Sequence, residues 1–173
     1  MLEGESVRLR SWRDDDLPFL TALRNDVALQ ALLLSRVRGS GPDLVRDWLQ
    51  SWTGQSDRML FIVAEREDDQ ACGYIQTNDV NTIDGHAEFG ICLFDKARGR
   101  GVGSQAITLL ANYLRDQWNI GKLSLRVRAD NALAIRCYDR LGFERCGLLQ
   151  QHIFIDGCWH DVVLMERFLV TRE

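Results

Sequence analysis

His86 to Ile107 reads HAEFGICLFDKARGRGVGSQAI, and its reading decides the fold. Alternation places Ala87, Phe89, Ile91 and Leu93 on one face of a strand. A turn follows in which Lys96, Arg98 and Arg100 are interleaved with Gly99, Gly101 and Gly103. Ile107, Leu110, Ala111, Leu114 and Trp118 then fall on one stripe of a long amphipathic helix. Glycines lack the side chains that would keep a ligand away from the backbone. The start of a helix leaves N–H groups unpaired and carries partial positive charge. Strand, glycine turn and helix together therefore describe an anion site, with phosphate the expected anion.

Working outward, Met59 to Glu65 is a short apolar run that predicts a well-buried strand. A charged turn at Arg66 to Gln70, a returning strand over Ala71 to Asp79 and a polar turn at Asn78 to Gly85 complete an antiparallel meander leading into His86. Further upstream, Ser6 to Trp12 alternates and reads as an edge strand. Asp14 to Asp16 open a helix through Leu17, Leu20 and Leu23. Val27 to Leu34 is a second helical piece, Gly39 to Pro42 a loop, and Asp43 to Trp52 another short helix. Downstream, Leu123 to Arg128 alternates. A helix separates it from the central strand, so it is expected to lie parallel to that strand through a right-handed crossover. Asp130 and Asn131 cap a last helix whose stripe is Ala134, Cys137, Tyr138 and Leu141, and Gly142 ends it. Phe143 to Phe154 and Trp159 to Phe168 are strands joined across Asp156-Gly157. The sum is an α/β (α+β) chain: a mixed, mostly antiparallel sheet of about seven strands with helices on both faces, and residues 1–173 as one domain.

Composition narrows the function. At 46% hydrophobic and 27% charged, the 173 residues suit an ordinary globular protein. A net charge of −4 supplies no basic field for nucleic acid or anionic lipid. No apolar run approaches a membrane span, so a cytoplasmic location is expected. Cys72, Cys92, Cys137, Cys146 and Cys158 are odd in number and form no CxxC, which predicts buried reduced thiols and no metal site.

The glycine turn has competing readings. A Walker loop needs a lysine after the glycines, and none follows. Gly101, Gly103 and Ala106 match a dinucleotide fingerprint. That fingerprint usually opens consecutive βαβ units, however, and here a meander precedes it. A tight turn without a ligand is the bland reading. The third reading is a family resemblance. Arg98-Gly99-Arg100-Gly101-Val102-Gly103 resembles the signature of the GNAT acetyltransferase superfamily: Gln or Arg, two residues, Gly, one residue, then Gly or Ala. Asn131, Ala134, Tyr138, Gly142 and Phe143 resemble that family's second motif. The resemblance implies a sheet whose central parallel strands splay apart, and acetyl-CoA as cosubstrate. The opening Val7 to Asp16, the Arg24-Asn25-Asp26 step and the closing Asp156 to Asp161 look like the subgroup that acetylates N-terminal alanines of ribosomal proteins.

What the resemblance implies for the residues can be weighed against their own chemistry. Coenzyme A carries a pyrophosphate, which the N–H groups of Arg98 to Ser104 could cradle, with Lys96, Arg98 and Arg100 adding charge. By resemblance, Ile91, Cys92 and Leu93 pair their main chain with pantetheine amides at the splay. Arg136 reads as a phosphate contact or an exposed helical arginine, and Asn131 as a pantetheine contact, a cap, or both. Transfer to an amine needs a base and an acid. Glu88 reads as the base or as an ordinary strand-end carboxylate, with His86 a weaker alternative. Tyr138 reads as the acid for the departing thiolate or as part of the core stripe. Cys137 as an acyl-carrying nucleophile is chemically open, but its stripe position argues for a buried thiol. No metal is called for. The acceptor is expected between Leu17 to Leu34 and the Asn78 to Gly85 and Gln150 to Asp161 segments. The expected activity is acetyl-CoA-dependent N-acetyl transfer by direct attack of a protein N-terminal or small-molecule amine, with a homodimer left open. The alternatives are transfer to an amino sugar or sugar-nucleotide amine, and a non-catalytic acyl-CoA sensor.

Overall fold

The meander forms where the apolar runs place it. In the computed structural model, which describes residues 1–170, β1 (Leu2–Glu3), β2 (Val7–Arg10), β3 (Met59–Glu65), β4 (Ala71–Asn81) and β5 (His86–Leu93) are successive antiparallel neighbours. Beyond β5 lie β6 (Lys122–Arg128), β8 (Cys158–Phe168) and β7 (Glu144–Ile155), in the spatial order β6-β8-β7. Every pairing is antiparallel except β5 with β6, so the sheet is mixed around one parallel pair. The sheet has eight strands where about seven are expected. The additional one is β1, two residues long and too short to show an alternation. It pairs Leu2 with Leu9, so β2 is the second strand in from the edge and not the edge strand its pattern suggests.

Five helices cover the two faces: α1 (Leu17–Asn25), α2 (Val27–Leu32), α3 (Pro42–Thr53), α4 (Val102–Trp118) and α5 (Ala132–Arg140). Alternation along each strand assigns its side chains. Val7, Leu9, Val63, Ile75, Ala87, Phe89, Leu123 and Leu125 bury against Ala106, Ile107, Leu110 and Leu114 of α4 and Ile135 of α5. On the other face, Leu60, Ile62, Tyr74 and Cys92 bury against Leu20 and Leu23 of α1 and Val45 and Leu49 of α3. A smaller cluster joins Ala31 of α2 to Ile153, Ile155 and Val162 of the last two strands. The cysteine expectation needs correction. Cys72 and Cys92 are buried and Cys137 is half-buried, but Cys146 and Cys158 are exposed, because they lie on the β7–β8 ribbon where helices no longer cover the sheet. All five are free thiols. Among the described residues, no helix is long and apolar enough to cross a membrane.

Candidate active site

β5 and β6 pair over three positions only: His86 with Lys122, Ala87 with Leu123, and Glu88 with Ser124. Beyond Glu88 each strand keeps its outer neighbour, β4 as far as Leu93 and β8 as far as Arg128, and loses the other. The parallel pair therefore opens into a V, and main-chain groups on its inner edges have no strand to bond. Which groups these are follows from alternation. Phe94 N donates to Cys72 O at 2.9 Å, so even-numbered residues of β5 direct their main chain at β4, and Ile91 and Leu93 direct theirs into the V. Of the three residues expected there, Cys92 is thus placed differently. Its main chain pairs with Tyr74, and its side chain is buried in the α1–α3 core, which pushes the thiol up to about 12.

The glycine turn lies at the mouth of the V. Gly99 and Gly101 adopt φ of +74° and +81°, where a Cβ would be strained and would meet nothing within 4 Å. The surface beside both glycines is open for a ligand. Gly101 is the N-cap of α4, with no side-chain cap bond. The first intrahelical bond runs from Gln105 N to Gly101 O, so the N–H groups of Val102, Gly103 and Ser104 have no intrahelical partner. Val102 is buried and anchors the turn in the core. A Cβ on Gly103 would lie 3.2 Å from Leu93 Cδ1. The basic residues are arranged differently from the expectation. Arg98 folds back, with Nε donating to Leu93 O at 3.2 Å and Nη1 2.9 Å from Asp95. Arg100 pairs with Glu65 of β3 at 2.9 Å. The positive character of the turn thus comes mainly from main-chain N–H groups and exposed Lys96.

Helix α5 closes the side of the V that faces α4. Tyr138 packs its ring edge-on against Phe89 of β5 and against Phe143. Burial, with Cys137 nearby, pushes its phenol well above the usual value, so it stays protonated and can donate. The Asn131 side-chain oxygen accepts from Ala134 N at 3.2 Å, so the capping reading holds and its amide N–H groups remain donors. Cys137 Sγ is 3.4 Å from Ser104 Oγ, which brings α5 against the first turn of α4, and Arg136 beside it is exposed.

Glu88 lies on the opposite face of β5, with Gly90 and Cys92, at the last paired position before the V opens. Its Oε2 accepts from Arg126 Nε at 3.0 Å, an ion pair that fixes the carboxylate across the strands. His86 sits two residues back, at the closed end. Sequence reasoning missed three residues. Arg126 is the exposed polar member of the alternating LSLRVR strand, and its partnership with Glu88 exists only once β5 and β6 meet. Gly73 faces Leu93, where an added Cβ would lie 2.0 Å from Cys92 O. Gln76, opposite Gly90, has a buried Oε1 without a hydrogen-bond partner, an acceptor suited to an N–H or water donor. Among the described residues, no group of three or more His, Cys, Asp or Glu side chains is placed to hold a metal.

Comparisons with known proteins agree with this geometry. The family profile described as "Acetyltransferase (GNAT) domain" matches residues 6–144. The chain is 26% identical over 165 residues to the spermidine N(1)-acetyltransferase of Escherichia coli K12, covering 95% of this chain and 87% of that one. It is 27% identical over 115 residues to the ribosomal-protein-serine acetyltransferase of the same organism, covering 66% and 63%. The crystal structure of spermidine N-acetyltransferase from Vibrio cholerae in complex with CoA and spermine superimposes with a TM-score of 0.88 at 23% identity, covering 96% of this chain and 97% of that one. The parallel strands that part after three residues, set beside an uncapped helix start, belong to a shared architecture, and the chain is a member of the GNAT acetyltransferase family, an N-acetyltransferase.

Proposed function

We propose that acetyl-CoA lies in the V between β5 and β6, and that an amine attacks its acetyl carbon directly, without an acyl-enzyme. The observation that carries this reading is the abrupt end of β5–β6 pairing at Glu88–Ser124, immediately beside the unpaired N–H groups at the start of α4. The pyrophosphate binds the N–H groups from Gly99 to Ser104, with Lys96 as the cation of the turn; the Arg98 N–H is already bonded to Asp95 O at 3.1 Å. Ile91 and Leu93 complete their hydrogen bonds with the pantetheine amides, and the Asn131 amide and Arg136 contact the coenzyme from α5. Glu88 and Tyr138 approach the thioester from opposite faces of β5. Glu88, directly or through one water, takes the proton of the attacking amine. The C–N bond forms, and the β5 N–H groups hold the resulting oxyanion. The C–S bond then breaks, and Tyr138 gives its proton to the leaving thiolate. Direct attack leaves no acyl-carrying step for Cys137, whose sulfur is 3.4 Å from Ser104 Oγ.

The acceptor is a primary amine. Relatives named for spermidine and for a ribosomal protein support an acceptor of either size. The testing experiment pairs calorimetry of coenzyme A binding with thiol release from acetyl-CoA across an amine panel. Micromolar binding and amine-dependent thiol release are expected. Folded protein that gives no heat with coenzyme A overturns the reading, and binding without turnover on any amine reduces the chain to a sensor.

A further inference from the structure

A groove of about 370 Å³ opens on the same side of β5 as Glu88, a size that suits a small molecule. Its floor is Ile153 and Val162, both buried, and its rim is the Phe154–Trp159 pair, with ring centroids 5.3 Å apart. Arg36, Arg126 and His152 supply the polar wall. Arg126 is the residue bonded to Glu88, so the groove begins at the candidate base. A bulge in β7 between Leu149 and Ile153 turns this segment outward, and Asp161 holds it by accepting from Gln151 N at 2.7 Å.

The charge in this groove is one-sided. Two guanidiniums line it, and no carboxylate does. Glu88 offsets Arg126 alone, and Asp161 is engaged by the bulge. Arg36 donates one N–H to Phe154 O, which holds the guanidinium over the groove. Among the described residues it has no carboxylate within ion-pair distance, so its remaining N–H groups are free for a ligand. A planar guanidinium fork matches a carboxylate or a phosphate, whereas a polyamine would meet like charge. We infer that the acceptor is a small primary amine that also carries a carboxylate or a phosphate, with Arg36 and Arg126 holding the anion while the nitrogen points at Glu88. The inference rests on the acetyl-transfer reading and specifies its second substrate.

The test compares kcat/KM for β-alanine, phosphoethanolamine, benzylamine and spermidine with acetyl-CoA. At least one anionic amine should exceed spermidine by about tenfold or more, the size expected of a charge-assisted contact. The β-alanine and phosphoethanolamine arms distinguish carboxylate from phosphate. Arg36→Glu should reverse the anionic-to-cationic ratio and Arg36→Lys should restore most of it. Because each ratio is taken within one variant, a general loss of folded protein cancels. Preference for spermidine, or a ratio that Arg36→Glu leaves unmoved, overturns the inference and leaves acetyl transfer standing. Silence with every amine also overturns it, and only if coenzyme A fails to bind as well does the acetyl-transfer reading fall with it.

Discussion

The roles proposed for Glu88 and Tyr138 rest on opposite surroundings. Tyr138 is enclosed by Phe89 and Phe143, and a buried phenol that holds its proton is a suitable donor to a thiolate. Tyr138→Phe keeps the ring contacts and removes only the hydroxyl. It should lower kcat by about 10²-fold or more and leave coenzyme A affinity nearly unchanged, as single-turnover kinetics and calorimetry will show. Glu88 is partly buried, its side chain 27% exposed, and bonded to Arg126. Glu88→Gln retains an acceptor for Arg126 but no basic group, so kcat/KM should fall and its dependence on pH should change. An unchanged profile would assign the base elsewhere. Both candidates come from the sequence, Tyr138 through its motif and Glu88 through its strand position, and their proposed roles await these measurements. Arg126 and Arg36 were not singled out, because a guanidinium on an alternating strand or in a loop gains meaning only when distant segments meet.

At the scale of elements, the turn before α4 depends on two backbone positions that only glycine adopts without strain. Gly101→Val puts a β-branched residue at φ +81°, and its side chain points where the phosphate would sit. Coenzyme affinity should drop by about 10²-fold or more, with a smaller loss of stability of roughly 1–2 kcal/mol, read by calorimetry and urea denaturation. Gly73 is a different case. There the obstacle is the β5 backbone itself, 2.0 Å from an added Cβ, so Gly73→Ala should cost about 1–3 kcal/mol and displace Leu93. The meander, α4 and the β7–β8 hairpin were readable because period-2 and period-3.6 patterns are local. β1 and the β7 bulge were not. Two residues carry no period, and a bulge is fixed by Asp161 from across the ladder.

At the scale of the molecule, the start of α1 is tied to the sheet by a charge cluster that no local pattern announces. Buried Arg10 on β2 makes two bonds to Asp16, at 2.8 and 2.9 Å, and two to Asp69 in the β3–β4 turn, at 3.1 Å to its carboxylate and 3.3 Å to its main-chain oxygen. Desolvation opposes ionisation of Asp69, but Arg13 and Arg10 outweigh it and hold the carboxyl below its ordinary 3.8. A carboxyl depressed on folding adds stability above that ordinary value and loses it as pH falls through the folded one. The urea midpoint should therefore be steady from pH 7 to 5 and fall below pH 4, with a shallower fall in Asp69→Asn. The parallel seam has a consequence at this scale too. Within the sheet, only three rungs of ladder join a five-stranded half to a three-stranded half, beside the α4 crossover and the packing of α2 on the last two strands. In the proposed complex, a thioester carrier seated in the gap would act as a removable wedge that each half grips, and the empty protein would be its own weakest form. Coenzyme A at a hundred times its Kd should add about 2.7 kcal/mol and raise the melting temperature by roughly 5–10 °C. Amides of β5 and β6 should then become the slowest to exchange hydrogen, as though the two halves had been welded.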